Sequence, residues 1–185
     1  PNIVGVGREY SSGRLRTKHR GDRKYGRFVI RAKMPTGQGM WPAIWMLPPE
    51  EKYGGWALSG EIDIMEMLGH EDSRIYGTVH WSSNGNGAQY PLGGAGKKLT
   101  DDETYHNRYH VFSLLWSETQ LEWLVDDQSF LKFDITNAAD LAAFRKKFFL
   151  IFNVAVGGNW PGYPTAATQF PQFMMVDYVR VFAKD

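Results

Sequence analysis

The chain of 185 residues contains no cysteine. Disulfides, zinc–thiolate centres and thiol nucleophiles are thereby excluded. It also lacks an excess of either charge. Lys and Arg number 21 against 20 Asp and Glu, a net charge of +1, so no whole-molecule attraction to a polyanion or a membrane surface follows. No apolar run reaches the roughly 18 residues that a membrane-spanning helix needs. The chain opens at Pro1 with neither Met nor a leader-like segment, which reads as a mature or trimmed protein. His70-Glu71 has no second His at zinc-protease spacing, and Gly93 to Lys98 lacks the leading Gly and trailing Ser/Thr of a phosphate loop. No Ser stands in a nucleophile elbow. No internal repeat and no linker divides the chain, and its length suits one domain, residues 1–185.

Aromatics and turn residues are abundant. The aromatic share is 15%, with seven Trp, 20 Gly and nine Pro, a composition that favours an all-β domain. Alternating segments agree: Tyr25–Met34, Arg74–Trp81, Tyr109–Trp116, Gln120–Val125, Phe130–Phe133 and Met174–Phe182 read as strands. Within Gly39–Pro49 two Trp four apart could mark a helix face, but Pro42 and Pro48 argue for a strand, with Trp41, Ala43 and Trp45 on one face. Phe148–Val156 reads as a strand buried on both faces except at Asn153. Residues 82–104 read as one long loop at a cleft rim, and Asn137–Lys147 as the one helix, with an Asn cap and a basic C-terminal end. Strands at this spacing make a two-sheet sandwich.

Residues 1–24 are basic. They read as the solvent face of strands rather than a nucleic-acid surface, because no aromatics interleave with the bases.

The chemistry concentrates in Gly60-Glu61-Ile62-Asp63-Ile64-Met65-Glu66-Met67-Leu68-Gly69. Glu61 and Asp63 alternate with Ile62 and Ile64, the period of a half-buried strand. Like charges on one face cost energy, and a cleft for acid–base chemistry is the setting that needs them. Glu66 falls one place late. A single-residue bulge at Ile64–Met65 restores it to the acid face, and bulges recur beside active sites. Glu61 and Glu66 then stand roughly 13 Å apart along the backbone at about 3.3 Å per paired residue. Retaining glycosidases hold such a pair about 5–5.5 Å apart and inverting ones about 6.5–9.5 Å, and leaning side chains bring even the shorter range within reach. A hairpin with Arg74–Trp81 places His80 or Trp81 near these acids. Trp41, beside Gly and Pro, reads as a cleft residue, Trp45 is equally readable as core, and residues 50–60 read as a loop that carries Trp56 into the acidic strand.

These residues carry a resemblance. Gly60 to His70 (GEIDIMEMLGH) is similar to the bulged signature of glycoside hydrolase family 16. Tyr25–Met34, Gly37–Pro48 (GQGMWPAIWMLP), Phe152–Gly162 (FNVAVGGNWPG) and the later VDYVRV agree with it from about Tyr10 onward. Within the family the blocks look most like bacterial endo-β-1,3-glucanases, the laminarinases. The resemblance implies an antiparallel, concanavalin-like β-jelly-roll sandwich with a concave cleft. It implies a secreted enzyme that cleaves β-1,3-glucan internally by a retaining double displacement without a catalytic cofactor. By position, Glu61 becomes the nucleophile and Glu66 the general acid/base, with Asp63 tuning both. Trp41, Trp45, Trp56, His80, Trp81, Trp160, Arg31 and Asn153 become candidate sugar contacts, since aromatic faces suit the apolar face of a pyranose. The family often carries a structural calcium, and Asp177 stands where one ligand is expected. Family members begin with a further N-terminal stretch. Its absence here puts the calcium site, the outer subsites and a sheet edge open to a partner chain in question. Mixed-linkage glucan, agarose, carrageenan or a carbohydrate-binding module are the alternatives.

Overall fold

The computed structural model describes residues 9–82, 95–100, 103–137 and 141–183. Eleven strands form within them: β1 Arg14–Arg16, β2 Gly26–Lys33, β3 Met40–Leu47, β4 Glu61–Met67, β5 Arg74–His80, β6 Ala95–Lys98, β7 His110–Trp116, β8 Gln120–Val125, β9 Gln128–Asp134, β10 Phe149–Val156 and β11 Met175–Phe182. They build two antiparallel sheets. The six-stranded sheet runs β1-β10-β3-β4-β5-β6 and the five-stranded sheet β11-β2-β7-β8-β9. This is an all-β jelly-roll sandwich whose sheets do not close. Among the described residues, no helix is long and apolar enough to cross a membrane.

Alternation explains the layers. On β2, Phe28, Ile30 and Ala32 point inward; on β7, Phe112 and Leu114 do; on β8, Leu121, Trp123 and Val125. They meet Ile44 and Met46 of β3, Ile62 and Ile64 of β4, and Ile75 and Val79 of β5 in one apolar cluster between the sheets. Burying a side chain of this size contributes about 1.5–3 kcal/mol, so the inner faces fix the sheet pairing and thereby the direction in which β4 turns its acids.

Three expectations change. Residues 95–98, read as loop, form β6 against β5, while residues 83–94 and 101–102 lie outside the described residues. Of the stretch read as a helix, residues 138–140 lie outside the described residues, and among the others Ala142–Arg145 is helical, as a 3-10 turn. Arg145 binds the carbonyls of Glu118, Ile135 and Thr136, and Phe144 is wholly buried. Packing therefore pins this stretch, which is too short to hold a helix on propensity alone. On β10, Phe149–Ile151 are buried but residues 152–156 are only half-buried, because that end of the strand faces a groove.

Candidate active site

Strand β4 enters from Gly60, whose φ of 85° and close neighbours Ala143 and Phe148 leave little room for a side chain. The strand then breaks register. Against β3, Ile44 faces Met65 but Trp45 faces Asp63. Against β5, Asp63 faces Thr78 but Glu66 faces Tyr76. Ile64 and Met65 are consecutive, yet both are buried in the core cluster. An unbroken strand cannot send neighbours to one face; a bulge can. Beyond it, Glu66 returns to the face of Glu61 and Asp63, and all three line one cavity of about 400 Å³.

Each flanking acid is held by an indole. Trp56 Nε1 donates to Glu61 Oε2 at 2.8 Å, and Trp41 Nε1 donates to Glu66 Oε1 at 3.0 Å. Asp63 is gripped through its backbone, because Trp123 of the opposite sheet donates its indole N–H to the Asp63 carbonyl at 2.8 Å. The hairpin sets Glu61 opposite His80. His80 Nε2 stands 3.2 Å from Asp63 Oδ2 and 3.8 Å from Glu61 Oε1.

Burial dominates the electrostatics. Glu61 is raised to about 7 by desolvation and then by Asp63, against the lowering pull of His80 and Trp56. Glu66 is raised to about 7 by desolvation, opposed by the Trp41 hydrogen bond. Asp63 is pushed well above the carboxylate range by burial and by Glu66, although its hydrogen bond with Glu61 pulls the other way. Three acids so close cannot all ionise, so the set retains protons into the neutral range. Neighbouring carboxyls that differ in protonation are what acid–base chemistry requires.

The walls come from β3, β10 and the loops. Trp45 Nε1 donates to Asn153 Oδ1 at 2.7 Å, and Trp45, Asn153, Val154 and Ala155 line the cavity. Trp160 meets Trp41 edge-on at 5.4 Å and Tyr76 at 5.2 Å. The Trp56 ring lies 5.8 Å from that of His80 and is half exposed. Thus Glu61, Asp63, Glu66, Trp41, Trp45, Trp56, His80, Trp160 and Asn153 are brought together.

Trp81, Arg31 and Asp177 are not. Trp81 follows His80 and alternation turns it inward, onto Phe133 at 5.2 Å and Phe144 at 6.1 Å. Its place in the apolar layer replaces the expected sugar contact. Arg31 belongs to β2 of the other sheet, where it ion-pairs with Asp177 at 2.6 Å and lies over Tyr109 at 4.5 Å. One surface interaction accounts for both residues.

Sequence reading missed the edge strand β1. It pairs with β10, so Ser12, Gly13 and Arg14 line the cavity, with Arg14 over the Trp45 ring at 4.7 Å. Three residues inside a basic run carry no signal of the pairing that places them there. Tyr76 was missed too, although its position opposite Glu66 follows from the hairpin once the bulge is counted.

Comparison with known proteins gives this geometry a context. The model of the family described as "Glycosyl hydrolases family 16" matches residues 6–180. Glucan endo-1,3-beta-glucosidase A1 of Niallia circulans is 43% identical over 94% of this chain and 26% of its own length. The Beta-glucanase of Rhodothermus marinus is 40% identical over 95% of this chain and 63% of its own length. The chain thus spans about a quarter of one relative and under two thirds of the other. Among solved structures, the laminarinase catalytic domain from Thermotoga maritima MSB8 superposes with a TM-score of 0.83 at 44% identity, covering 93% of this chain and 69% of that one. The laminarinase from Rhodothermus marinus gives 0.83 at 36%, covering 97% and 73%.

Proposed function

The chain belongs to glycoside hydrolase family 16, and from that premise we propose that its cleft cleaves internal β-1,3 linkages of a β-glucan by a retaining double displacement. The observation that carries this reading is the bulge in β4, which turns Glu61, Asp63 and Glu66 to one face with their proton affinities raised together. The relatives named as laminarinases and endo-1,3-beta-glucosidases support the linkage. The mixed-linkage, galactan and binding-module alternatives are less favoured, although relatives named for mixed-linkage or galactan cleavage and for glucan binding also match, at 34–38% identity.

In this mechanism Glu61 attacks the anomeric carbon and Glu66 protonates the departing oxygen. Trp56 occupies Glu61 Oε2, so Oε1 is the attacking atom. Trp41 occupies Glu66 Oε1, so the transferable proton sits on Oε2. Asp63 shares a hydrogen bond with Glu61; it takes the proton while Glu61 is ionised and returns it when the glycosyl-enzyme breaks down. In the second step Glu66, now ionised, accepts a proton from water. Trp160, Trp41 and Trp56 offer apolar faces to the sugar rings and Asn153 a polar contact.

No catalytic cofactor enters this chemistry. For a structural calcium the fit at Asp177 is poor. Its Oδ2 is engaged by Arg31 at 2.6 Å, and a cation there would stand beside a guanidinium. A polymeric substrate supports a site of action outside the cell. We also propose that residues 1–185 act as one catalytic unit and that the open sheet edges are where a partner chain would add.

The testing experiment is reducing-end release from laminarin, lichenan, agarose and carrageenan, with products sized. Laminarin should be cleaved fastest, into several intermediate lengths. Cleavage of agarose or carrageenan alone would overturn the substrate, and glucan binding without new ends would overturn the activity.

A further inference from the structure

The centre that carries the acids also contains a set of mixed donors. One oxygen of Glu61, one of Asp63 and one ring nitrogen of His80 all lie within 4.8 Å of one another. His80 Nε2 is 3.2 Å from Asp63 Oδ2 and 3.8 Å from Glu61 Oε1. A tetrahedral ion with ligand bonds of about 2.0–2.2 Å separates its ligand atoms by about 3.3–3.6 Å. The two separations made by His80, 3.2 and 3.8 Å, bracket this range, and the third pair lies within 4.8 Å, so small side-chain adjustments bring the three atoms onto such an ion.

A second observation points the same way. Asp63 Oδ2 is buried, opens on this cluster and has no hydrogen-bond partner, with His80 Nε2 at 3.2 Å beside it. A buried acid oxygen in that state is costly, and a cation that displaces the acid's proton and coordinates the oxygen offsets the cost. The outer supports are also in place. Trp56 binds Oε2 of Glu61 and leaves Oε1 to face the cluster, and Trp123 fixes the Asp63 backbone from the opposite sheet. Such partners orient ligands and sharpen affinity.

We propose that Glu61, Asp63 and His80 form a site for a divalent transition ion of the zinc class, whose occupation shuts the glycosidase. An imidazole with two carboxylates suits zinc, copper or nickel rather than calcium or magnesium, which prefer all-oxygen sets. The fourth position opens to the cleft. A bound ion takes Oε1 of Glu61, the atom assigned to attack the sugar, and so blocks the nucleophile. The inhibitory half of this proposal rests on the mechanism above, whereas the binding half does not.

The test uses Zn²⁺ alone with the intact chain, followed by calorimetry, and Co²⁺ alone, followed by visible absorption. One Zn²⁺ should bind per chain, and Co²⁺ should give the intense bands of a four-coordinate oxygen–nitrogen site. His80→Gln should weaken Zn²⁺ at least tenfold, and Trp56→Phe by about tenfold. His19→Gln, which removes an exposed histidine beside Asp22, should leave binding unchanged. Circular dichroism of each variant separates lost binding from lost folding, and Asp63→Asn supplies a second removal if His80→Gln does not fold. Zn²⁺ should slow laminarin hydrolysis in proportion to occupancy. No binding at millimolar Zn²⁺, or binding indifferent to His80→Gln and Asp63→Asn, overturns the site. If Zn²⁺ binds while Glu61→Gln leaves hydrolysis intact, the mechanism fails and the metal site stands. If Glu61→Gln abolishes hydrolysis and Zn²⁺ does not bind, the reverse holds.

Discussion

Trp41 donates its indole N–H to Oε1 of Glu66 at 3.0 Å, so the residue expected to carry a sugar also lowers the proton affinity of the proposed general acid. The bond favours the ionised carboxylate and works against burial. Trp41→Phe keeps the ring and removes the donor. A hydrogen bond to a charged group contributes about 1.5–3 kcal/mol, so the alkaline limb of the pH–rate profile should move up by about one unit. The turnover number should fall roughly tenfold. A profile that does not move would assign Trp41 to sugar contact alone.

The raised acids also set how stability depends on pH. Glu61 and Glu66 hold protons to about 7 in the fold against an ordinary 4.5. Between those values the folded chain binds more protons at these two acids than the unfolded one, so their contribution to stability is full below about pH 4.5 and is lost progressively as pH rises to and through 7. Glu61→Gln should remove part of the decline and raise stability at pH 8 on the order of 1–3 kcal/mol, with little gain at pH 4. Thermal melts at the two pH values measure this. A variant less stable at pH 8 would contradict it.

Gly77 lies beneath Trp123, the residue that holds the Asp63 carbonyl. A Cβ on Gly77 would stand 2.7 Å from Trp123 Cδ1. Gly77→Ala should therefore cost about 1–3 kcal/mol by overpacking and lower turnover as Asp63 loses its anchor. Denaturant unfolding and laminarin kinetics read the two effects, and a neutral substitution would show that the indole moves freely.

Two tryptophans separate function from packing. Trp160 is exposed beside Trp41 and Tyr76, so Trp160→Ala should raise KM about tenfold and leave stability within about 0.5 kcal/mol. Trp81 packs on Phe133 and Phe144, so Trp81→Ala should cost about 2–4 kcal/mol of stability. The reverse pattern would exchange their roles.

The contrast between these residues marks how far the sequence is legible. The bulge was readable because three acids cannot share one face at period two, and the core then forces Ile64 and Met65 inward together. The strands were readable from alternation. Which sheet each strand joins was not, and that misplaced Arg31, which alternation had already turned away from Phe28, Ile30 and Ala32. Trp81 was ambiguous with His80 until the register Glu61 to His80 fixed which of the pair faces the acids. The turn at Ala142–Arg145 escaped because helix propensity near Asn137 yields to tertiary bonds of Arg145. Arg14 reaches the cavity only through the pairing of β1 with β10, which no local pattern announces.

Azide rescue measures the double displacement directly. Glu61→Ala and Glu66→Ala should each lose about 10²–10⁴-fold or more in laminarin turnover. With azide and an aryl β-1,3-gluco-oligosaccharide, Glu61→Ala should yield the α-glycosyl azide, because azide replaces the nucleophile in a single inversion. Glu66→Ala should yield the β-glycosyl azide, because azide intercepts the glycosyl-enzyme on Glu61. Unchanged laminarin turnover in either variant, or the same anomer from both, would contradict the assignment.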